Sequence, residues 1–158
     1  MSCILNIETS TNVCSVSLSQ DGVCLHEEVD LQGPSHAQVL AGFVKEVVSF
    51  ADSHAIPIDA VAVSKGPGSY TGLRIGVSEA KGVAYGRDAK LISVPTLKLL
   101  TVPVLLGHDE LPEDSLLCPM IDARRMEVYC AVYTRALKEV EATQALVVDE
   151  HSFNDLLE

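Results

Sequence analysis

The chain has 158 residues, of which 47% are apolar, so it can bury a core and form one domain or two small ones. This composition excludes an intrinsically disordered chain. The sequence contains 11 Lys and Arg and 22 Asp and Glu, which gives a formal charge of −11. A protein that grips a polyphosphate alone usually presents a basic face. If RNA is the eventual substrate, a partner protein should therefore hold it.

The five cysteines are an odd number without a CxxC pair, and they lie in apolar runs, where a free cysteine behaves as a small hydrophobe. We expect all five to be buried and reduced, as in the cytoplasm. Residues 1–6 lack a basic region and a long apolar core, and the apolar run 99–106 is short and interrupted by Pro103. We therefore expect neither an export signal nor a membrane span.

The N-terminal third of the chain predicts three strands. Residues 3–8 form an apolar run, and residues 14–19 alternate apolar side chains with serines, as expected of a half-buried strand. Asp21-Gly22 is a strong hairpin signal, and the alternation resumes over residues 23–31. These strands should form an antiparallel meander.

Helices and parallel strands should follow the meander. Ser35 and Gln38 match the S-x-x-Q capping box, so a helix should begin here and fade at His54. Next come a strand at 60–63, a glycine loop, a helix over 71–85 and a strand at 91–94. The order β-β-β-α-β-α-β with right-handed crossovers predicts a ribonuclease-H-like half-domain, the unit that actin-like ATPases carry twice.

We expect a second copy of this unit to begin after residue 112, with strands at 116–122, 126–134 and 140–148, a turn at 123–125 and a helix that opens near Ser152. We expect a first lobe over 1–112 and a second lobe over 113–158. The second lobe lacks a β-α-β remainder in this chain. A truncated form and a degenerate copy both stay open as explanations.

The segment 64–76 joins a buried strand to a helix, where backbone N–H groups favour anions. Its glycines fall at 66, 68, 72 and 76, which matches neither a P-loop nor a dinucleotide-binding loop. Gly72, Gly76 and Ala80 share one helical stripe, although each mid-helix glycine costs roughly 1 kcal/mol relative to alanine. Something must therefore approach this stripe closely, and both the chain's own fold and a partner helix stay open.

Three segments of the chain resemble signatures of the TsaB (YeaZ) family: 7–11 (IETST), 65–76 (KGPGSYTGLRIG) and 121–129 (IDARRMEVY). The similarity extends over essentially the whole chain, and the family has the duplicated ribonuclease-H-like fold. The resemblance implies a non-catalytic scaffold subunit that binds the catalytic TsaD-type paralogue. The complex, which a TsaE-type ATPase joins, transfers threonylcarbamoyl to the adenosine beside the anticodon of tRNAs that read codons beginning with A. The subunit would contact tRNA only through the complex and form a homodimer when alone.

The resemblance also implies where partners bind, because family members pair through the two helices that map here to 36–54 and 71–86. The expected partner or dimer interface comprises Val39, Phe43, Val47, Gly72, Leu73, Arg74, Gly76, Val77, Ala80, Lys81 and Ala84. No intrinsic cofactor is implied, and ATP or ADP at the partner interface stays open. The candidate phosphate contacts are Thr9, Ser10, Gly68, Ser69, Arg124 and Arg125.

For the two arginines the residues themselves leave two interpretations open. Either Asp122 caps a turn while both guanidiniums face water, or the guanidiniums touch a partner or a nucleotide phosphate.

The alternatives are an autonomous actin-fold ATPase and a glycoprotease-like metallopeptidase. TsaD-type proteins carry a His-x-x-x-His metal site at the start of the first helix, whereas here His36 is followed four residues later by Leu40. The segment 8–12 supplies hydroxyl groups but no glycine for a phosphate hairpin. We therefore predict no catalytic residue and no metal ligand in this chain.

Overall fold

A five-stranded sheet forms the base of the first of two units, Met1–Thr96, in the computed structural model, which describes residues 1–33 and 35–154. The spatial order is β3-β2-β1-β4-β5. The strands are β1 (Cys3–Glu8), β2 (Cys14–Gln20), β3 (Val23–Asp30), β4 (Ala60–Ser64) and β5 (Lys90–Val94). β2 pairs antiparallel with β1 and β3, whereas β4 pairs parallel with β1 and β5. The predicted meander and its two parallel crossovers are confirmed.

The turn between β2 and β3 has the predicted two-residue form. Gln20 pairs with Val23, and both residues between them have positive φ, 50° at Asp21 and 85° at Gly22. Positive φ at both central positions gives a turn whose twist matches that of the flanking strands.

Two helices, α1 (His36–Ser53) and α2 (Tyr70–Gly86), pack against this sheet and close the main core. α1 buries residues at helical spacing, and β1 and β2 each bury alternate residues, as the sequence patterns predict. Their side chains meet in one cluster that contains Leu5, Val16, Leu40, Val47, Val61 and Ala80.

The start of α1 differs from the predicted capping box. Ser35 is the N-cap residue, but its hydroxyl makes no capping hydrogen bond to the helix. It donates instead to the carboxylate of Asp30, which also accepts a hydrogen bond from Gln32 N at 2.8 Å. The carboxylate at the end of β3 therefore competes successfully for the hydroxyl that the capping box requires.

The glycine stripe of α2 packs on the segment that follows β1, within the same unit. A Cβ atom on Gly68 would overlap the carbonyl oxygen of Ser10, and one on Gly72 would overlap that of Thr9. A Cβ on Gly76 would overlap the Thr9 hydroxyl. The close approach that these glycines predict is confirmed, and the approaching group belongs to the chain's own fold.

The second unit, Leu97–Glu158, contains an antiparallel sheet in which the strand β8 (Glu127–Thr134) pairs with three others. These partners are β6 (Leu116–Leu117), β7 (Met120–Arg124) and β9 (Glu139–Leu146). Its buried cluster joins Leu97 to Ala131 and Tyr133. A second three-strand meander was predicted here, and its strands are present.

The structure corrects two details of this second half. The predicted strand 116–122 is interrupted at Cys118-Pro119 and reappears as β6 and β7. A helix that the sequence patterns missed, α3 (Thr96–Gly107), contains Pro103. The two units divide at residues 96 and 97, and Leu97 of α3 packs in the second cluster, while the lobe boundary at 112 stays a prediction. Turns occupy 151–153, and the predicted helix beyond Asn154 falls outside the described residues.

The glycine packing predicts opposite effects for two substitutions in α2. Gly72→Ala should lower the free energy of unfolding by about 1–3 kcal/mol, because the new methyl group meets the backbone oxygen of Thr9, which cannot rotate away. The matched control is Gly82→Ala, since a Cβ there has open space within 4 Å. It should raise helix stability by up to about 1 kcal/mol. Urea denaturation measures both, and equal effects at the two positions would contradict the packing.

A bidentate ion pair ties the end of α1 to the residue that caps α2. Arg87 Nη1 and Nη2 donate to Asp52 Oδ1 and Oδ2 at 2.6 and 2.7 Å. These hydrogen bonds hold the pKa of the Asp52 carboxyl below its usual value and raise the pKa of Arg87. A carboxyl with a depressed folded-state pKa stabilises the fold above its unfolded pKa, and this contribution disappears as the pH falls through the folded pKa.

Asp52→Asn should therefore lower the urea midpoint at pH 7, and its difference from the unmodified chain should shrink as the pH is lowered through the range of carboxyl titration. High salt should also reduce the difference, since the pair is partly exposed. Glu46→Gln, on the exposed side of α1, is the control and should have little effect. A difference that persists unchanged at pH 3 would show that the ion pair is not its cause.

Candidate functional site

The buried face of α2 removes several residues from the predicted interface. Gly72 and Gly76 are buried against the segment that follows β1, and Ala80, Ala84 and Val47 of α1 lie in the main core. These five residues of the predicted set do not form part of the exposed surface. The reason is the close approach of α2 to the segment after β1, which spacing alone could not distinguish from contact with a partner.

The outward face of α2 carries an open depression of about 260 Å³, lined by Tyr70, Leu73, Arg74, Val77 and Ser78. Tyr70 is 74% exposed. Arg74 Nη1 donates to the Tyr70 hydroxyl at 3.1 Å, and its guanidinium carbon lies 5.4 Å from the centre of the same ring. Leu73, Arg74 and Val77 of the predicted set therefore come together here, with Lys81 exposed one turn further along.

Sequence reasoning missed the aromatic part of this face. Tyr70, Arg74 and Ser78 follow each other at intervals of four residues, and Tyr85, which is 93% exposed, continues the outward side. This spacing could have indicated them, because residues four apart share one side of a helix.

The predicted residues of α1 do not line the depression on α2. Val39 and Phe43 are half-buried against the main core. They share one side of α1 with Phe50, whose ring stacks on His26 of β3 at 4.6 Å between centroids. That side of α1 faces β3, an edge strand of the sheet, whereas α2 packs on β4 and β5 near the opposite edge.

The four candidate phosphate contacts of the first unit meet at the junction before α2, where Ser69 is exposed and Gly68 is half-buried. Thr9 and Ser10 are buried, and Gly68 packs directly on Ser10. Ser69 N donates to the Ser10 carbonyl at 2.7 Å, and the Ser69 hydroxyl accepts from Gly72 N at 3.2 Å as the N-cap of α2. The Ser69 and Gly72 amides are therefore used within the junction, whereas the buried hydroxyl groups of Thr9 and Ser10 have no hydrogen-bond partner in the described part of the chain. Phosphate binding by this set stays a prediction.

Glu8 and His36, whose side chains the ATPase and metallopeptidase alternatives would need, both make hydrogen bonds within the fold. Glu8 accepts from Ser10 N at 2.6 Å and from the Ser64 hydroxyl, which joins the ends of β1 and β4. His36 is buried, and its Nε2 donates to the Val13 carbonyl at 3.3 Å. Across the described part of the chain, no three His, Cys, Asp or Glu side chains are grouped so that they could hold a metal ion.

The remaining phosphate candidates, Arg124 and Arg125, lie in the second unit at the turn between β7 and β8, and both are exposed. Asp122 Oδ1 accepts a hydrogen bond from Arg124 N at 2.7 Å. The carboxylate therefore caps a local amide, as the structural interpretation of this motif predicts, while the role of the two guanidiniums stays a prediction.

The cysteines are all free, but the expectation that all are buried is wrong for Cys24 and Cys118, which are exposed. Burial raises the pKa of the Cys3, Cys14 and Cys130 thiols, which favours their neutral form. Among the helices that can be described, none has the length and apolarity needed to cross a lipid bilayer.

Known proteins resemble this chain in both sequence and fold. The family model described as TsaD, tRNA N6-adenosine threonylcarbamoyltransferase, matches residues 30–152. The tRNA threonylcarbamoyladenosine biosynthesis protein TsaB of Escherichia coli is 33% identical over 150 residues, which are 93% of this chain and 63% of that protein. The TsaB protein of Bacillus subtilis is 32% identical over 130 residues, which are 82% of this chain and 54% of that protein.

Among solved structures, YeaZ from Pseudomonas aeruginosa matches with a TM-score of 0.75 at 28% identity, over 95% of this chain and 70% of that chain. The present chain spans 54% to 63% of the length of the two TsaB relatives. The family model covers more than half of the chain, and the YeaZ structure shares its duplicated ribonuclease-H-like fold of the actin-like ATPase superfamily. The chain belongs to the TsaB (YeaZ) family.

Proposed function

We propose that this chain is a non-catalytic subunit of the machinery that makes threonylcarbamoyladenosine in tRNA, and that it acts by binding a TsaD-type catalytic paralogue. The pathway is supported by family membership, since the relatives are named for the biosynthesis of this nucleoside. The observation that carries the binding role is the exposed outward face of α2.

The chemistry of this face fits a protein partner. Tyr and Arg are enriched among the residues that dominate binding energy, and here Tyr70 and Arg74 stand beside half-buried Leu73 and Val77. α2 exposes Arg74 and Lys81, and its one carboxylate, that of Glu79, is half-buried, although the chain has twice as many acidic as basic residues. A partner with an acidic surface would therefore be attracted to α2 and repelled by most of the remaining surface.

The non-catalytic assignment rests on how the catalytic candidates are used. Glu8 binds Ser10 N and Ser64, and His36 binds the Val13 carbonyl, so each is committed to a contact that holds the fold together. Thr9 and Ser10 are covered by the glycine junction. These contacts favour a scaffold over the autonomous ATPase and the metallopeptidase.

The remaining partners are proposals that follow from the same role. A TsaE-type ATPase joins the complex, tRNA is contacted through the complex, and two copies of this chain pair through α2 when the paralogue is absent. ATP or ADP at the interface would be held mainly by the partners, because Thr9 and Ser10 are buried here. The proposed role in tRNA modification also implies a cytoplasmic location.

The docking proposal predicts that Tyr70→Ala and Arg74→Glu each weaken binding of the TsaD-type paralogue by about tenfold or more, since both positions have the character of binding hot spots. Isothermal titration calorimetry measures the affinity, and circular dichroism checks that the fold is retained. Val23→Ala, at a residue that is 63% exposed in the β2–β3 hairpin, is the matched control and should bind normally. Unchanged affinity for both α2 variants would place the interface elsewhere.

The non-catalytic proposal predicts that the purified chain alone neither hydrolyses ATP nor cleaves protein substrates above background. Phosphate release and protease assays test this, with Glu8→Gln as the matched variant. Turnover that survives repurification and disappears in Glu8→Gln would establish the ATPase alternative.

A further inference from the structure

The tip of the β7–β8 hairpin has a backbone conformation that its residues disfavour. Arg124, Arg125 and Met126 have φ of 67°, 56° and 67°, three consecutive non-glycine residues in the left-handed region. Arg124 pairs with Glu127 across the hairpin, so Arg125 and Met126 form a two-residue turn. Such turns normally contain Asn-Gly or Asp-Gly, because glycine adopts positive φ without strain.

This conformation is held in place by the surrounding strands. Asp122 accepts a hydrogen bond from Arg124 N, and the register shifts between Asp122 and Arg124, which directs the end of β7 into the turn. Strained residues persist only where the surrounding structure determines their conformation, and they concentrate at sites of contact and switching. The strained backbone at the tip therefore indicates that its side chains make a functional contact.

The side chains are presented to solvent in an unusual combination. Met126 is 88% exposed, which is high for a large apolar residue. Within residues 1–33 and 35–154, no carboxylate oxygen lies within 4.0 Å of either guanidinium. The tip thus offers one exposed apolar side chain next to two cationic groups that have no ion-pair partner in the described part of the chain.

The charge around the tip decides which class of partner fits. Asp122 and Glu127 flank the two arginines, and the whole chain carries a formal charge of −11, so a nucleic acid would meet repulsion around a small cationic point. An exposed methionine contributes nothing to phosphate binding, whereas Met and Arg are both enriched at protein interfaces. A protein surface with an apolar pocket and acidic groups at its rim satisfies all three side chains.

We propose that the tip of the β7–β8 hairpin is a docking element, in which Met126 enters an apolar pocket of a partner protein and Arg124 and Arg125 pair with carboxylates at its rim. The pocket is taken to be on the TsaD-type paralogue, so this inference rests on the proposed function. It concerns the second unit and is independent of the outward face of α2.

Two variants separate a binding role from a structural one. Met126→Gly removes the apolar side chain and relieves the strain, so it should raise the thermal midpoint by a few degrees while weakening binding of the paralogue by about tenfold. Arg124→Gln with Arg125→Gln should leave the thermal midpoint unchanged, weaken binding and reduce its dependence on salt. A turn with only a structural role would gain stability in Met126→Gly and lose no affinity.

Calorimetric titration of the paralogue into the unmodified chain, the two hairpin variants and Tyr70→Ala distinguishes the outcomes. If Tyr70→Ala weakens binding and both hairpin variants bind normally, the hairpin inference is wrong and the proposed function stands. No binding by the unmodified chain would overturn both. A parallel titration with labelled tRNA tests the other partner class, and loss of tRNA binding in the double glutamine variant without loss of paralogue binding would show a phosphate contact instead of protein docking.

Discussion

The packing of the glycine junction on Thr9 and Ser10 is the contact on which the arrangement of the first unit depends. Ser69 N donates to the Ser10 carbonyl, while Lys65 N donates to the Val94 carbonyl and Thr96 N to the Gly66 carbonyl, both at 2.9 Å. These hydrogen bonds join the ends of three parallel strands to the loop before α2. Because the loop is fixed on both sides, the first turn of α2 is fixed as well, and with it the direction of every α2 side chain.

The same contact uses amides at the start of α2 that an anion-binding loop would leave free for its ligand. In an anion-binding loop the backbone N–H groups at the helix start point at the ligand. In this chain Ser69 N binds a carbonyl of the β1–β2 connection, and Gly72 N binds the Ser69 hydroxyl. The glycines serve to bring the two backbones together, so their spacing follows the helix repeat and does not match a phosphate loop.

Most elements of the first unit could be predicted from the sequence, because its strands and helices have clear periods of two and 3.6 residues. The position of the glycine stripe was also predictable, but its neighbour was not. The spacing of the glycines indicates that a larger side chain would not fit on this side of α2. It does not indicate which residue lies opposite. Gly76 and Thr9 are far apart in sequence, so only the folded chain shows that the neighbour is Thr9.

Sequence reasoning missed details where the folded chain departs from the usual local preferences of its residues. Asp30 takes the hydroxyl of Ser35 that the capping box assigns to the helix. Pro103 lies within α3, although proline removes one hydrogen bond and disfavours a helix interior. Five members of the predicted interface lie in the core for a related reason, since an apolar or small residue on a helix can face the core or a partner with the same spacing.

The close packing of α2 on the first unit determines the character of both sides of the helix. Glycine and alanine on the inner side allow the helix to lie close to the sheet, so the core needs no large side chain from that part of the helix. The large residues Tyr70, Arg74 and Tyr85 are consequently placed on the outward side, where they contribute nothing to the core. A helix that served only to cover a sheet would gain little from this division, since exposed tyrosines add apolar surface to water. The division agrees with the proposed docking of a second protein on the outward side of α2.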